Sequence, residues 1–307
     1  MLVAAGFGTR LEPLTAELPK PALPVGNRPA AWFACDHLAR CGVREALVNT
    51  HHLGDELRAE LEPACPPELA LHFVHEQSIL GTGGGVRNAW RPEPGEDLIV
   101  WNAKLVFAPD LGRALAVHRE QDAIATMVLR PLPPGSSFTP VEIDGVRVRR
   151  IRAEPAVATS ASTRCMYTGV QILSSRAWRD LPAQGDIVEH AYLPWLARGE
   201  RVAAVVDDSP WLDIGVSLRG YLDANLALAS GRIRWPGIEP APSSVLMGLG
   251  ARVGAGCHLE EAVLGADTDV APGVSLRRVV AWRGAHLQAS LNDAIVTTSG
   301  QVVRVES

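Results

Sequence analysis

The residues with the clearest potential for chemistry form a glycine-containing loop near the N-terminus, Ala4–Arg10. Gly6 and Gly8 lack a side chain, so a polyphosphate could approach the backbone N–H groups of this loop closely. Arg10 and the later Lys20 would supply two positive charges to offset the phosphates. The spacing is neither that of a P-loop nor that of the G-x-G-x-x-G fingerprint, and a bare G-x-G also fits a simple tight turn.

The elements that must position this loop follow a βαβ pattern. Residues 1 to about 230 alternate short apolar runs with helical patterns, which is typical of an α/β domain with a mostly parallel sheet. The patterns predict strands at Leu2–Ala5, Glu45–Asn49, Leu71–Val74, Leu98–Trp101, Ala123–Leu129 and Val170–Leu173, and helices at Pro29–Cys41, Gly54–Leu61, Gly85–Trp90, Val188–Ala197 and Ser217–Ala229.

A change of pattern at Pro236–Pro242 divides the chain. Three prolines in this stretch predict a stiff linker, and we expect one domain over 1–232 and a second over 243–307. Spacings near six residues in the second domain favour the coils of a small parallel β-helix over an irregular β-rich tail. The aliphatic residues expected to point inward are Val253, Val263, Val270, Val280, Leu287 and Ile295.

Bulk properties exclude several classes of protein. The 307 residues are 47% hydrophobic and 21% charged, as in ordinary globular proteins, and a net charge of −5 argues against a nucleic-acid binder. No apolar run approaches the roughly 20 residues of a membrane span. The segment Met1–Phe7 lacks the basic start of a signal peptide. Five cysteines without a C-x-x-C pair predict reduced thiols and a cytoplasmic protein.

Four segments of the chain form a recognisable series of motifs. They are the opening Ala4–Thr15 with Pro19–Val25, then Leu80–Gly85 preceded by Glu76, then Tyr167–Gly169, and finally Trp211–Gly215. In this order they resemble the motifs of sugar-1-phosphate nucleotidylyltransferases. A T-G-G-G sequence without a clear E-K-P motif makes the core similar to N-acetylmuramate-1-phosphate uridylyltransferases, and the C-terminal part resembles the β-helix of bacterial mannose-1-phosphate guanylyltransferases.

This resemblance implies a Rossmann-like, GT-A-like nucleotidyltransferase domain followed by a left-handed parallel β-helix. It also implies that the oxygen of a sugar 1-phosphate attacks the α-phosphate of a nucleoside triphosphate and releases pyrophosphate with the help of Mg²⁺. Such chemistry depends mainly on positioning and charge neutralisation. The expected partners are these two substrates, without nucleic acid or membrane, and a β-helix makes a homo-oligomer plausible because its open end tends to be covered.

The resemblance also implies roles for individual residues. Arg10 would stabilise the pyrophosphate, Lys20 would hold the α-phosphate and the sugar phosphate, and Asp213 would bind the metal. The nucleotide-binding residues would be Ala4, Ala5, Gly6, Gly8, Thr9, Glu76, Gly81, Thr82 and Asn102, and the sugar-binding residues would be Gly83, Thr168 and Gly169.

One position breaks the pattern. Where the family has an N-G-D sequence whose aspartate binds the metal, this chain has Asn102, Ala103 and Lys104. An ammonium cannot ligate Mg²⁺ and would repel it. Three interpretations are open: the ammonium replaces part of the metal's charge in a slow enzyme, the protein binds nucleotides without turnover, or the lysine is peculiar to this sequence. Asp110 is a conceivable substitute ligand that we expect to lie too far along the loop.

Three functions follow, in order of preference. The first is a Mg²⁺-assisted sugar-1-phosphate nucleotidylyltransferase, and the second is a catalytically degenerate paralogue that binds nucleotides or nucleotide sugars in a regulatory role. The third, a phosphocholine cytidylyltransferase-like enzyme, would need an aromatic cage that the sparse aromatic residues do not suggest.

Other conspicuous residues are predicted to be structural: His51 and His52 in a solvated loop, Asp186 and Glu189 at a helix start, and most tryptophans in the core.

Overall fold

A computed structural model describes residues 1–153, 163–239 and 244–306, so the end of the predicted linker lies outside the described residues. The chain folds into two compact units, each assembled from separate segments. The first comprises Met1–Gly6, Ala34–Arg58 and Cys65–Trp211. The second comprises Phe7–Phe33, Ala59–Ala64 and Leu212–Ser307.

The described residues contain the following regular elements. The α-helices are α1 (Trp32–Arg40), α2 (Gly54–Leu61), α3 (Gly81–Ala89), α4 (Leu111–Glu120), α5 (Leu193–Ala197) and α6 (Leu218–Ala229). The strands are β1 (Leu2–Val3), β2 (Pro24–Val25), β3 (Arg28–Pro29), β4 (Glu45–Thr50), β5 (Ala70–His75), β6 (Asp97–Asn102), β7 (Leu105–Phe107), β8 (Ala125–Pro131), β9 (Pro140–Asp144), β10 (Arg147–Ile151), β11 (Thr163–Ser174), β12 (Val202–Val206), β13 (Trp211–Asp213), β14 (Val245–Met247), β15 (Arg252–Val253), β16 (His258–Leu264), β17 (Asp269–Val270), β18 (Ser275–Ala281), β19 (His286–Leu287), β20 (Leu291–Val296) and β21 (Val302–Arg304).

The first unit is built on a nine-stranded sheet in the order β5-β4-β1-β6-β11-β8-β12-β10-β9. Strands β5, β4, β1 and β6 are parallel, as predicted. The prediction of a mostly parallel sheet is nevertheless wrong, because β11 runs antiparallel to both β6 and β8, and β9 pairs antiparallel with β10 and β11. A tight turn explains part of the reversal: only two residues join β9 to β10, and one of them, Gly145, has a positive φ of 57°.

Two helices differ from the predicted pattern. The helix expected to open at Gly85 begins at Gly81, so the glycine-rich stretch is largely helical. Helix α4 was not predicted, and the Asp110 carboxylate caps its start by accepting a hydrogen bond from the Arg113 N–H at 2.8 Å. Asp110 is therefore an N-cap residue.

The core of the first unit lies between the sheet and its helices. The predicted burial of the tryptophans is confirmed there, since Trp90, Trp101 and Trp195 are at most 3% exposed. Trp195 packs edge-on against Tyr192 at the end of a helix that starts with a π-helical segment, Val188–Tyr192, and continues as α5. This helix confirms the predicted Val188–Ala197.

The second unit contains regular coils of parallel strands. Strands β14, β16, β18 and β20 form one parallel ladder, and β15, β17 and β19 form another. Partners in neighbouring coils are mostly 17 residues apart, as in the Val245–Ala262 and Ala262–Val279 pairs. A residue with positive φ turns the chain at the same place in successive coils: Ser244, Glu261, Arg278 and Asp293.

Of the six aliphatic residues predicted to point into these coils, Val270 and Leu287 belong to the buried cluster that also contains Leu264, Ala281 and Val296. Val263, Val280 and Ile295 are buried as well, but each stands directly before a member of that cluster in its strand and so faces the opposite side of the sheet. The predicted direction of these three side chains is therefore wrong. The prediction is wrong for Val253, which is 37% exposed. Its strand, β15, is the edge of the smaller ladder and has a neighbouring coil on one side only, so no further coil covers the side chain.

Helix α6 holds the N-terminal segment of the second unit in place. The Tyr221 hydroxyl donates to the Pro24 carbonyl at 2.5 Å and accepts a hydrogen bond from the Trp282 indole N–H at 3.0 Å. The Asn225 side chain accepts the Gly26 N–H at 2.9 Å.

Among the described residues, no helix has the length and apolar character needed to cross a membrane.

Candidate active site

The loop after β1 starts with a tight turn. The Gly6 N–H donates to the Ala4 carbonyl at 3.0 Å, and the Ala4 N–H donates to the Asn49 side chain at 2.8 Å. The expectation that the Gly6 amide is available to a phosphate is therefore wrong for this conformation, because the turn uses it. Ala5 is half-buried, and a methyl group added to Gly6 would meet no atom within 4 Å. The loop thus presents open space at Gly6.

The rest of the loop belongs to the second unit. Gly8 has a positive φ of 73°, and a Cβ there would lie 2.8 Å from the Thr15 Cγ2 and 3.5 Å from the Lys20 Cβ. Lys20 is therefore packed against the loop to which sequence reasoning assigned it. Thr9 and Arg10 are exposed and lie in the following 3₁₀ turn, Thr9–Leu11.

Glu76 holds two neighbouring segments of the first unit together. It is 2% exposed, and its carboxylate accepts hydrogen bonds from the Asn49 amide at 2.7 Å and from the Leu80 N–H at 3.1 Å. The His51 ring bonds the Glu76 backbone carbonyl at 2.7 Å. Asn49 thus links Glu76 to the first residue of the loop at Ala4. Sequence reasoning did not single out Asn49, although a polar residue at the end of a strand next to β1 is a recognisable signal.

Close packing explains the glycines of α3. A Cβ on Gly81 would lie 2.6 Å from the Gly185 carbonyl oxygen, and one on Gly83 would lie 2.7 Å from the Pro182 side chain. The Gly83 N–H donates to that same Gly185 carbonyl at 2.9 Å. Gly83, predicted to bind sugar, is buried beneath this segment.

Thr82 connects α3 to the helix that begins near Val188. Its hydroxyl donates to the Asp186 carboxylate at 3.0 Å and accepts the Ile187 N–H at 2.8 Å. Asp186 also accepts the N–H groups of Val188 and Glu189 at 2.9 and 3.2 Å, which confirms its predicted place at a helix start. Its contact with Thr82, a predicted nucleotide-binding residue, was not foreseen.

A cavity of about 270 Å³ lies in the first unit beside these residues. Thr82, Asn102 and Asp186 line it together with apolar side chains of the sheet. Tyr167 and Gln171 of β11 also face this space. Burial, with a smaller contribution from the nearby Asp186, raises the pKa of Tyr167, so its hydroxyl stays protonated.

The strand predicted to lie under the sugar contains a bulge. The Thr168 hydroxyl donates to the Val128 carbonyl at 2.7 Å and accepts the Val170 N–H at 3.2 Å, where the register with β8 shifts. Gly169 has a φ of 96°, and a Cβ there would lie 2.6 Å from the Asn102 Nδ2. The bulge therefore lets β11 approach the Asn102 side chain closely.

The two positions at which the resemblance implies metal ligands hold Lys104 and Asp213. Lys104 is half-buried just after β6, and its backbone N–H donates to the Asn102 carbonyl at 2.7 Å. Asp213 belongs to the second unit, where its carboxylate accepts the Gly215 N–H at 2.8 Å. No group of three or more His, Cys, Asp or Glu side chains suited to a metal occurs in residues 1–153, 163–239 and 244–306. One carboxylate and one ammonium do not fit a Mg²⁺ site held by two protein carboxylates.

Comparisons with known proteins show the family of this chain. A family model described as nucleotidyl transferase matches residues 1–231. A UTP–glucose-1-phosphate uridylyltransferase of Synechocystis is 27% identical over 79% of this chain and 67% of its own length. A mannose-1-phosphate guanylyltransferase of Mycobacterium tuberculosis is 26% identical over 94% of this chain and 81% of its own.

A solved structure supports the fold. HddC from Yersinia pseudotuberculosis, complexed with GMP-PN, superposes with a TM-score of 0.60 at 22% identity and covers 73% of this chain and 96% of its own. The family match extends over well more than half of the chain and includes every residue predicted to act at the site. The chain therefore belongs to the nucleotidyl transferase family.

Proposed function

We propose that the protein is a sugar-1-phosphate nucleotidylyltransferase, which couples a nucleoside triphosphate to a sugar 1-phosphate and releases pyrophosphate. The observation that carries this proposal is the family match over residues 1–231, which includes the loop after β1, the cavity-lining residues and Asp213. The named relatives act on mannose 1-phosphate and glucose 1-phosphate with guanylyl or uridylyl transfer. GTP and UTP are accordingly the first nucleotides to test.

In the proposed reaction one P–O bond forms and another breaks. An oxygen of the sugar phosphate attacks the α-phosphorus, and the bond from that phosphorus to the bridging oxygen of the β-phosphate breaks, so pyrophosphate leaves. Arg10 is assigned to the developing charge on pyrophosphate, and Lys20 is assigned to the α-phosphate and the sugar phosphate. We assign the binding of the nucleotide to Ala5, Gly6, Gly81 and Thr82. Asn49, which is itself bonded to Glu76, anchors the start of the loop through the Ala4 N–H.

Lys104 is assigned the most unusual role. Relatives in this family generally use Mg²⁺. The resemblance implies that an aspartate carboxylate binds this metal at the position that Lys104 occupies here. We assign the Lys104 ammonium to part of that neutralising charge, delivered directly to the phosphates as a point charge. In the proposed reaction Lys104 therefore does not hold a metal.

Three further features are part of the proposal. The parallel coils of the second unit are taken as a left-handed β-helix over residues 243–307, after a nucleotidyltransferase domain over 1–232. At the first coil, strand β14 forms an edge of its sheet, and the side chains of Leu249 and Met247 are 91% and 51% exposed. These exposed apolar side chains favour a homo-oligomer that forms through the coils. A cytoplasmic location stays a prediction from cysteine use.

The test is a pyrophosphate-release assay that crosses GTP, UTP, dTTP and CTP with several sugar 1-phosphates. It is run on the natural chain, on Lys104→Asp and on Lys104→Met, which keeps the length of the side chain without its charge. We expect turnover by the natural chain and a loss of about tenfold or more in Lys104→Met, because one charge on the phosphates is removed.

The same assay, repeated over a range of Mg²⁺ concentrations, addresses the assigned role of Lys104. We expect Lys104→Asp to respond to Mg²⁺ more steeply than the natural chain, because it regains a carboxylate. Activity that appears in Lys104→Asp but is absent from the natural chain would refute the substitution of lysine for metal charge. Nucleotide binding without turnover in any variant would favour the regulatory paralogue.

A further inference from the structure

Strand β5 leaves one side of the nine-stranded sheet open. The strand order places β5 at one end of this sheet, with β4 as its neighbour. At the other end, β9 pairs with both β10 and β11, so it has a strand on each side. Over residues 1–153, 163–239 and 244–306, β5 is therefore the single strand of this sheet without a second neighbour. An open edge of this kind is a template on which another strand can pair.

The register with β4 decides which backbone groups of β5 face outward. The Ala70 N–H donates to the Arg44 carbonyl at 2.8 Å, and the pairing that follows is regular. Because backbone groups alternate in direction along a strand, the even-numbered residues of β5 bond to β4. The N–H and C=O groups of Leu71, Phe73 and His75 consequently point away from the sheet. The described part of the chain forms no hydrogen bond to these groups.

The strand lacks the features by which edge strands usually avoid association. Natural edges carry lysine, proline, an inward-pointing charge or a bulge. The sequence of β5, Ala-Leu-His-Phe-Val-His, contains no lysine, proline or carboxylate, and all 6 residues pair in register with β4. Leu71, Phe73 and Val74 are half-buried and so remain partly accessible. The edge therefore offers apolar contacts beside its outward backbone groups.

The three outward residues are arranged symmetrically about Phe73. A two-fold axis through Phe73 would place a second copy of β5 antiparallel to the first. Phe73 would then face the same residue of the second copy, and Leu71 would face His75 on either side. Since hydrogen-bonded pairs alternate along an antiparallel ladder, every outward N–H and C=O of these residues would find a partner. The edge is thus complementary to itself.

The charges around this edge also suit a second copy. No side chain of β5 carries a permanent charge, so like charges do not meet across the axis. On the adjoining face the Arg58 guanidinium lies over the Phe73 ring, 4.6 Å from its centre. Asp55 and Glu56 line a cavity of about 470 Å³ together with Arg58 and offset its charge. An acidic or basic strand from another protein would find no matching charge on β5.

We propose that the protein forms a two-fold symmetric dimer in which β5 pairs antiparallel with β5 of a second copy, with Phe73 on the axis. The nine-stranded sheet then continues into the sheet of the second copy. An aromatic pair on the axis and backbone hydrogen bonds on both sides of it hold the two copies together. This interface lies entirely in the first unit, and it is separate from the one proposed for the coils of the second unit.

Introduced cysteines test the register of the pairing. On the axis, the two Cα atoms of Phe73→Cys would be about 5.5 Å apart, which a disulfide can span. Leu71→Cys is the matched control on the same face, because the two copies of residue 71 would be roughly 14 Å apart. Both are made in a Cys41→Ser background, which removes the exposed native thiol, and are oxidised with copper phenanthroline. We expect a covalent dimer from Phe73→Cys and none from Leu71→Cys, whereas adding His75→Cys to the latter should restore it.

An exchange of charge tests the association itself. Phe73→Glu and Phe73→Arg each bring two like charges together on the axis. Each is therefore expected to weaken dimerisation about tenfold or more in analytical ultracentrifugation. A mixture of the two variants should recover the dimer, because opposite charges then meet. Thermal unfolding checks that both variants are folded.

Three results would overturn the proposal. The first is a natural chain that stays monomeric at micromolar concentration. The second is cross-linking at residue 73 that is no faster than at residue 71. The third is dimerisation that neither charge variant weakens, which would place the contact elsewhere, as in the coils. None of these results depends on whether the protein transfers nucleotides.

Discussion

Single residues set the shape of the phosphate-binding loop, and the two glycines of its G-x-G sequence do so in different ways. Gly8 has a left-handed backbone and no room for a Cβ, which would lie 2.8 Å from the Thr15 side chain. Gly6 faces open space. The space beside the first glycine is thus open to a ligand although its N–H is used by the turn, and the second glycine is required by the fold of the loop.

Alanine substitutions at these two positions should therefore separate stability from binding. We expect Gly8→Ala to lower the free energy of unfolding by about 1–3 kcal/mol, from backbone strain and the contact with Thr15. Gly6→Ala should change it by less than about 0.5 kcal/mol while weakening nucleotide binding. Urea unfolding and nucleotide titration measure the two effects, and equal losses of stability would contradict the assignment.

How much of the site is predictable depends on where its chemistry lies in the sequence. The loop after β1, Thr82 and Lys104 were identified because motif order and residue type are local properties. Asn49 was missed, because its importance depends on a partner at a distance along the chain, Glu76.

At the scale of elements, α4 is held to β8 by a buried histidine. The His118 ring bonds the Thr126 hydroxyl at 2.8 Å, and burial lowers the pKa of His118 despite the opposing influence of Asp97. The unfolded chain, with a histidine pKa near 6.5, then takes up a proton at a higher pH than the folded chain does. The stabilising contribution is fully present above about pH 6.5 and is lost as the pH falls below it.

We expect the free energy of unfolding to decrease between pH 7.5 and pH 5.5, and His118→Gln to make that decrease shallower. Chemical denaturation at several pH values measures both slopes. His72→Gln is the control, because His72 is an exposed residue of β5 whose side chain is 53% accessible. An unchanged pH dependence in His118→Gln would show that the linkage lies elsewhere.

At the scale of the whole molecule, Arg278 joins the coils of the second unit to α6. Its guanidinium contacts Asp223 at 2.7 Å, Asp293 at 2.9 Å and Glu261 at 3.3 Å. The hydrogen bond from Arg278 holds the pKa of Asp293 below its usual value. Because the guanidinium is only 23% exposed, these ion pairs form a network that solvent screens only in part.

Arg278→Met should therefore destabilise the second unit by about 1–3 kcal/mol, since three carboxylates lose a shared cation. Arg252→Met removes an ion pair with Asp269 in which the arginine is 76% exposed, and we expect it to cost less than about 0.5 kcal/mol. Thermal unfolding at low and high salt compares the two variants. A similar effect of both would contradict the role of the network.

The division of the molecule shows the limit of sequence reasoning at this scale. The change of pattern near residue 236 predicts where coils replace the βαβ pattern, but the second compact unit also takes in residues 7–33 and 59–64. Contacts such as those of Tyr221 with Pro24, and of Asn225 with Gly26, join positions about 200 residues apart. No local pattern in the sequence contains that information.

We propose that this chain catalyses nucleotidyl transfer with a lysine, Lys104, at the position where the resemblance implies a metal-binding aspartate. The most direct test follows the natural chain by ³¹P NMR with a nucleoside triphosphate and a sugar 1-phosphate, for every pair that binds. We expect the diphosphate diester signals of a nucleotide sugar to rise in step with those of pyrophosphate. Nucleotide binding with no nucleotide sugar formed from any pair would contradict it.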